Sequence, residues 1–394
     1  MAWPKAKLVD CVDLIPGFAF KSQYFSRNAG DVPLVKGENV GQGRVLWEIA
    51  KRWPTADLDK MTKFHLVPGD VVVAMDRPWV PAGLKWAFIR SGDPKALLVQ
   101  RVARLRANSK KLDQTFLRFV IGGPAFENHV RPITTGVNVP HISGRQILDF
   151  KFDLPPLSAQ CRIAAILSAY DELIENHQRR IKILEAMVHT MYRQHFPSGL
   201  GSTNFGCLND LIFVGRESVN PFEFPEEEFD SFSIPAFDRG RVPVVEFGKS
   251  ILSGKYCIDD TCVLLSKLNP RIPRIWLPAP SGKRRAITST EFLVLKPKAG
   301  ITREFIYAKC CSDDFTKSFA SMAIGTSTSH QRVKPDSLLA MPCVLPDRAA
   351  VTNFSQLVSP MLGLIQCLRD QAYNLRQTRD LLLPCLLSGR IAIA

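Results

Sequence analysis

The sequence predicts an α+β chain: two similar small α/β domains, joined and spaced by two long helices that form an antiparallel coiled coil with pseudo-twofold symmetry. Three observations predict it. Two stretches of about 40 residues carry an apolar period of 3.5, they recur about 190 residues apart, and the same order of strand-like and helical runs precedes each. The implied division is 1–153 for the first domain, 154–197 for a central helix, 198–345 for the second domain and 346–394 for a distal helix.

In the first domain, LVPGDVVVAM (66–75) reads as a turn into a buried strand, with KWAFIR (85–90) and ALLVQRVARLR (96–106) as its neighbours. LDQTFLRFVIGG (112–123) has helical spacing and a glycine stop. The central helix follows. Pro155, Pro156 and Ser158 make its start, and Pro197 with Gly199 its stop. Its seam is Ile163, Leu167, Tyr170, Ile174, His177, Ile181, Leu184, Val188 and Met191, in alternating steps of four and three that demand a partner helix.

The second domain repeats the order. CVLLSKL (262–268), RIWL (274–277) and AITSTEFLVLKP (286–297) are its strands, and REFIYAKCCSDDFTKSFAS (303–321) is its helix. The distal helix has the seam Phe354, Val358, Met361, Ile365, Leu368, Ala372, Leu375, Arg379, Leu382 and Leu386. Both helical segments open with Leu-Pro and close with Ser-Gly, which marks an internal duplication. Pro360 is expected to kink the distal helix and Pro384 to mark fraying at its end. Each helix would be roughly 60 Å long. His177 and Arg379 are polar seam residues, readable as register-setting, as partner-binding or as rim positions.

At 394 residues and 46% hydrophobic composition, the chain is long enough for two or three cores. No apolar run reaches the ~18 residues of a membrane helix, and the first residues lack a secretory layout, so no membrane is expected and a cytoplasmic location is. The ten cysteines are scattered; Cys257 and Cys262 have no second pair at zinc spacing and read as buried thiols. The net charge of +14 is concentrated in residues 1–150, which hold 22 basic and 13 acidic side chains. Such a balance suits a polyanion or, equally, a solvated basic protein.

No catalytic signature emerges. Gly248-Lys249-Ser250 has Pro243 where a phosphate loop needs glycine. His141, His177, His189, His195 and His330 are isolated, so no metal site is expected. Asn220-Pro221-Phe222-Glu223 lacks the second proline of an amino-methyltransferase corner, and Gly41-x-Gly43 is too short for a dinucleotide fingerprint. The acidic pairs Asp259-Asp260 and Asp313-Asp314 lack nuclease spacing. The chain is therefore not expected to be an enzyme.

What remains is recognition. Basic side chains interleave with aromatics and amides at Arg77, Trp79 and Lys85, at Lys255, Lys267 and Asn269, and from Arg271 through Arg274 to Lys283, Arg284 and Arg285. Guanidinium groups suit guanine edges and phosphates, and amides suit adenine. TTGVNVPHISG (134–144) and GTSTSHQRV (325–333) are a matched pair of glycine-bounded loops, placing Thr135, Asn138 and His141 in one domain and Thr328, His330 and Arg332 in the other. These residues are the DNA-contact candidates, with ordinary turns as the alternative.

The segment LPPLSAQCRIAAILSAYDELIENHQRRIKILEAMVHTMYRQHF resembles the central helical region of type I restriction–modification specificity subunits, and LRQTRDLLLPCLLSGRI their distal one. LVPGDVVVAMDRP and VLLSKLNPRIPRIW resemble strand-turn segments of the family's two target recognition domains, and GTSTSHQRV the loop ending the second. The resemblance implies a non-catalytic, DNA-binding subunit whose two domains each read half of a bipartite site in double-stranded DNA. It implies that the helices fix the gap and seat methyltransferase subunits, and that motor–nuclease subunits join the complex in host defence. S-adenosylmethionine would belong to the methyltransferase partners, with no cofactor bound by this chain. A ~60 Å spacer limits the half-site separation to under about 18 base pairs. Two other readings stay open: a coiled-coil scaffold with protein-binding domains, whose DNA affinity would lack salt dependence, and an enzyme that modifies or cuts DNA alone.

Overall fold

A computed structural model describes residues 3–81, 83–134, 140–197, 204–324 and 331–391. The chain divides into two compact units, one of residues 1–172 with 376–394 and one of residues 173–375. Each unit contains one end of each long helix.

The first unit opens with the strand Lys5–Lys7, which pairs antiparallel with Lys151–Asp153, the strand just before the central helix. Between them lie two sheets. A five-stranded sheet has the order Val12–Pro16, Val102–Ala107, Val71–Ala74, Trp86–Phe88, Gln42–Gly43. A four-stranded sheet has the order Arg52–Trp53, Val32–Val35, Ala96–Leu98, His65–Leu66. All four residues of Val71–Ala74 are fully buried, as a strand covered on both faces must be. The helix Gln114–Ile121 starts where Asp113 accepts from the Phe116 N–H at 2.7 Å. It stops at Gly122, where a Cβ would lie 2.2 Å from the Trp86 ring.

The second unit has the same plan. Phe205–Cys207 pairs antiparallel with Pro342–Val344, which leads into the distal helix. Its four-stranded sheet runs Ile212–Gly215, Phe292–Pro297, Val263–Ser266, Ile275–Trp276. Its five-stranded sheet runs Ser218–Val219, Lys255–Ile258, Arg285–Thr288, Glu228–Phe232, Val244–Phe247.

Three local expectations are corrected. ALLVQRVARLR is not one strand: it turns at residues 99–101, and its halves enter different sheets. AITSTEFLVLKP divides the same way at residues 289–291. An apolar run carries no mark of a change of sheet, because both halves are buried alike. The helical run 303–321 is two helices, Arg303–Cys311 and Asp313–Ser321, because Ser312 caps the second by accepting from the Phe315 N–H at 3.4 Å.

The central helix is Leu157–His195, 39 residues, and the distal helix is Arg348–Leu387, 40 residues. The distal helix runs through Pro360 and continues past Pro384 to end at Leu387. Antiparallel pairing is visible inside each unit. In the first, Ile163 and Leu167 near the start of the central helix share a core with Leu382 and Leu386 near the end of the distal one. In the second, Val188 with Ile181, Leu184 and Met191 near the end of the central helix share a core with Phe354, Val358, Met361 and Ile365 near the start of the distal one. Ile174 and Leu368 are buried too, and Leu375 is half-buried. Burial of each large side chain along the seam contributes about 1.5–3 kcal/mol.

Ion pairs tie the two helices to each other within each unit. In the first unit Asp171 of the central helix takes Arg118 from the globular part and Arg379 of the distal helix, the latter at 2.6 Å. In the second, Glu185 takes Arg241 at 2.7 Å and Arg369 at 2.5 Å. Arg379, one of the two polar seam residues, thus pairs across the helices with Asp171. His177 is half-buried, with its Nδ1 shielded and without a hydrogen-bond partner. Gln160, fully buried, ties the helix start to the first unit: its Nε2 donates to Pro155 and Lys111 carbonyls at 2.7 and 3.0 Å, and its Oε1 accepts from the Asp113 N–H at 2.8 Å. No helix among the described residues is long and apolar enough to cross a membrane.

Candidate nucleic-acid interface

Within each unit the strand-turn segment and the glycine-bounded loop are brought together by the same main-chain hydrogen bonds. In the first unit Met75 donates to Arg101 O at 2.9 Å, Ile142 to Met75 O at 2.9 Å and Arg77 to Pro140 O at 2.7 Å. In the second, Lys267 donates to Glu291 O at 2.9 Å, Val333 to Lys267 O at 3.1 Å and Asn269 to Gln331 O at 2.9 Å. Ala74 donates to Lys85 O at 3.0 Å in the one, and Ser266 to Arg274 O at 2.9 Å in the other. The turn residues agree as well, since Arg77 has φ 44° and Asn269 φ 49°, a left-handed conformation that an L side chain seldom adopts. Arg77 is therefore the counterpart of Asn269, Lys85 of Arg274, Arg101 of Glu291 and His141 of Arg332.

The side chains at these matched positions differ. In the first unit Asp76 is the hub: its Oδ1 faces His141 Nδ1 at 2.6 Å and its Oδ2 faces Arg101 Nε at 3.2 Å. Arg77 is exposed. Trp79 donates from Nε1 to Thr134 Oγ1 at 3.2 Å and lies under the Arg131 guanidinium, 4.7 Å from the ring centre. Lys85 donates from Nζ to Gly37 O at 2.6 Å; burial, then the neighbouring Arg77 charge, push its ammonium below the ordinary lysine range.

In the second unit the hub is Glu291. It accepts from Arg332 Nε at 3.0 Å and Nη2 at 3.2 Å, and this pairing strengthens the guanidinium's hold on its proton. Arg274 is clamped by Asp238 at 2.7 and 2.9 Å. Arg271 is exposed, and Lys267 and Asn269 are half-buried.

The remaining basic candidates lie on the five-stranded sheet or in the loop that leads into its strand Arg285–Thr288. Arg285 pairs with Glu227 through two bonds of 2.7 Å and stacks on Phe224, 4.3 Å from its centre. Arg284 pairs with Glu228 at 2.7 Å. Lys255 is held by Ser253 at 2.6 Å, with burial lowering its proton affinity. Lys283 is exposed. Ser281 donates to the buried Asp230 at 2.6 Å, so residues 281–285 are braced on an acidic strand. Thr135, Asn138, Thr328 and His330 lie outside the described residues.

Sequence reading missed Asp76, Arg101 and Glu291. Arg101 and Glu291 sit in turns hidden inside runs read as single strands. Aligning the two repeats position by position, at offsets of 189–192 residues, would have paired them. The described cysteines are all free thiols, Cys262 buried and Cys257 half-buried. Among the described residues no cluster of His, Cys, Asp or Glu is able to hold a metal ion.

The two units thus present different polar side chains from one backbone geometry. The family model for the type I restriction modification DNA specificity domain matches residues 2–186. The type I restriction enzyme MjaVIII specificity subunit of Methanocaldococcus jannaschii is 32% identical over 183 residues, 46% of this chain and 43% of that protein. The EcoAI specificity subunit of Escherichia coli is 30% identical over 188 residues, 48% of this chain and 31% of that protein. The chain thus spans less than half the length of these curated relatives. The crystal structure of a type I restriction–modification S subunit from M. genitalium aligns over 100% of this chain and 97% of its own, with a TM-score of 0.62 and 16% identity, a likeness of fold. Residues 2–186 match the type I restriction modification DNA specificity domain, and the resemblance to specificity subunits read from the sequence is borne out.

Proposed function

We propose that this chain is the DNA-recognition subunit of a type I restriction–modification complex and performs no chemistry itself. Each unit reads one half of a bipartite site in double-stranded DNA. The paired helices set the gap between half-sites and seat methyltransferase subunits, which bring S-adenosylmethionine. Motor–nuclease subunits complete the complex, which acts in the cytoplasm. The observation that carries this reading is the matched register of Arg77, Lys85 and His141 with Asn269, Arg274 and Arg332. One backbone geometry with two sets of side chains suits two half-sites of different sequence.

Methylation mapping tests it. The chain is expressed with its cognate methyltransferase subunits in a host lacking DNA methylation, and methyladenine is located by long-read sequencing. A split motif with a constant gap is the expected result. No new methylation from a complex shown to assemble would favour a protein-binding scaffold. Methylation by this chain alone would make it an enzyme.

A further inference from the structure

The Glu291–Arg332 pair is built with more care than its stability justifies. Its side chains are 27% and 45% exposed, and solvent screening leaves an exposed pair little to contribute to stability. Yet both partners are pinned by main chain: Glu291 O accepts from Lys267 N at 2.9 Å, and Arg332 exchanges two bonds with Ile324 at 2.9 and 3.1 Å. The carboxylate occupies the Nε and Nη2 edge of the guanidinium, leaving the Nη1–Nη2 end with its two outward N–H groups. Two parallel donors of that kind match the O6 and N7 acceptors of guanine in the major groove. In the first unit the corresponding position holds His141, whose Nδ1 is already engaged by Asp76, so it offers one ring nitrogen rather than a fork.

Resting on the proposed DNA-reading role, we infer that Arg332 reads a guanine of the half-site taken by the second unit, and that Glu291 is its positioning residue. Glu291 fixes the guanidinium plane and withholds the other edge from phosphates.

The test uses the assembled complex with its methyltransferase subunits and competition by duplexes substituted at each base of the mapped motif. In the wild type, replacing one guanine by adenine in one half-site should weaken binding by about ten- to a hundredfold. Glu291→Gln should reduce that penalty to a few-fold and raise affinity for unrelated duplex, while discrimination at the other half-site stays unchanged. Glu291→Asp, which keeps the carboxylate, should recover part of the penalty. 7-Deazaguanine at that position should weaken the wild type more than Glu291→Gln. Unchanged discrimination in Glu291→Gln, equal loss at both half-sites, or a half-site without a guanine dependent on Arg332 would overturn the inference. A wild-type complex that methylates no motif would instead overturn the reading on which it rests.

Discussion

At equivalent backbone positions the first unit carries Arg77, Lys85, Arg101 and His141, and the second carries Asn269, Arg274, Glu291 and Arg332. The main-chain bonds that hold them are the same to within a few tenths of an ångström. The charges are redistributed: an acid in the strand-turn of the first unit, Asp76, collects a histidine and an arginine, whereas an acid in the turn of the second, Glu291, clamps an arginine from the loop. A scaffold of this kind separates the residues that hold the fold from those that line the matched turns. The apolar strands and helix seams carry stability, and the polar side chains at the matched turns differ between the two units.

That separation is open to direct attack. The largest effect should come from the seam. Ile163→Asp puts a charge into the first unit's core and should cost several kcal/mol, about 3–5, read as a lowered midpoint in urea unfolding. Ile183→Asp, on the exposed face of the same helix, should change stability by less than about 0.5 kcal/mol. Equal effects would refute the paired-helix seam.

Next is Gln160→Ala, which leaves the Pro155 and Lys111 carbonyls and the Asp113 N–H without their partner. It should cost about 2–3 kcal/mol and loosen the first unit before the second, seen as faster amide exchange around residues 111–116. Arg332→Ala should relax one half-site only, by about 1–3 kcal/mol of discrimination, in the competition assay. Damage to both half-sites would refute independent reading by the two units.

The smallest effect concerns Arg285, which is predicted to brace rather than to read. Its hydrogen bonds hold the Glu227 carboxyl below the ordinary glutamate range. A lowered carboxyl contributes stability above the ordinary range and loses it as pH falls through the lowered value. Arg285→Ala should return Glu227 upward in an NMR titration and leave the methylated motif unchanged. A relaxed motif would move Arg285 into the reading surface.

The sequence was most legible where burial imposes a period. The seams from Ile163 to Met191 and from Phe354 to Leu386 announce two helices, and continuous apolar runs announce Val71–Ala74 and Val263–Ser266 as buried strands. The basic loops were legible as composition, but their partners were not. Arg274, Arg284 and Arg285 look alike in the sequence as open cations, and each proves to be held by an acid 36–58 residues away.

By itself, then, the sequence determined the duplication, the class of each element and the two helix seams, because apolar periodicity is a local consequence of which face meets water. Tertiary structure alone decided where a strand run changes sheet, which acids neutralise which bases, and that Arg101 and Glu291 occupy one position in two copies. Those facts depend on groups brought together across tens of residues, and no local pattern encodes a partner supplied by a distant turn.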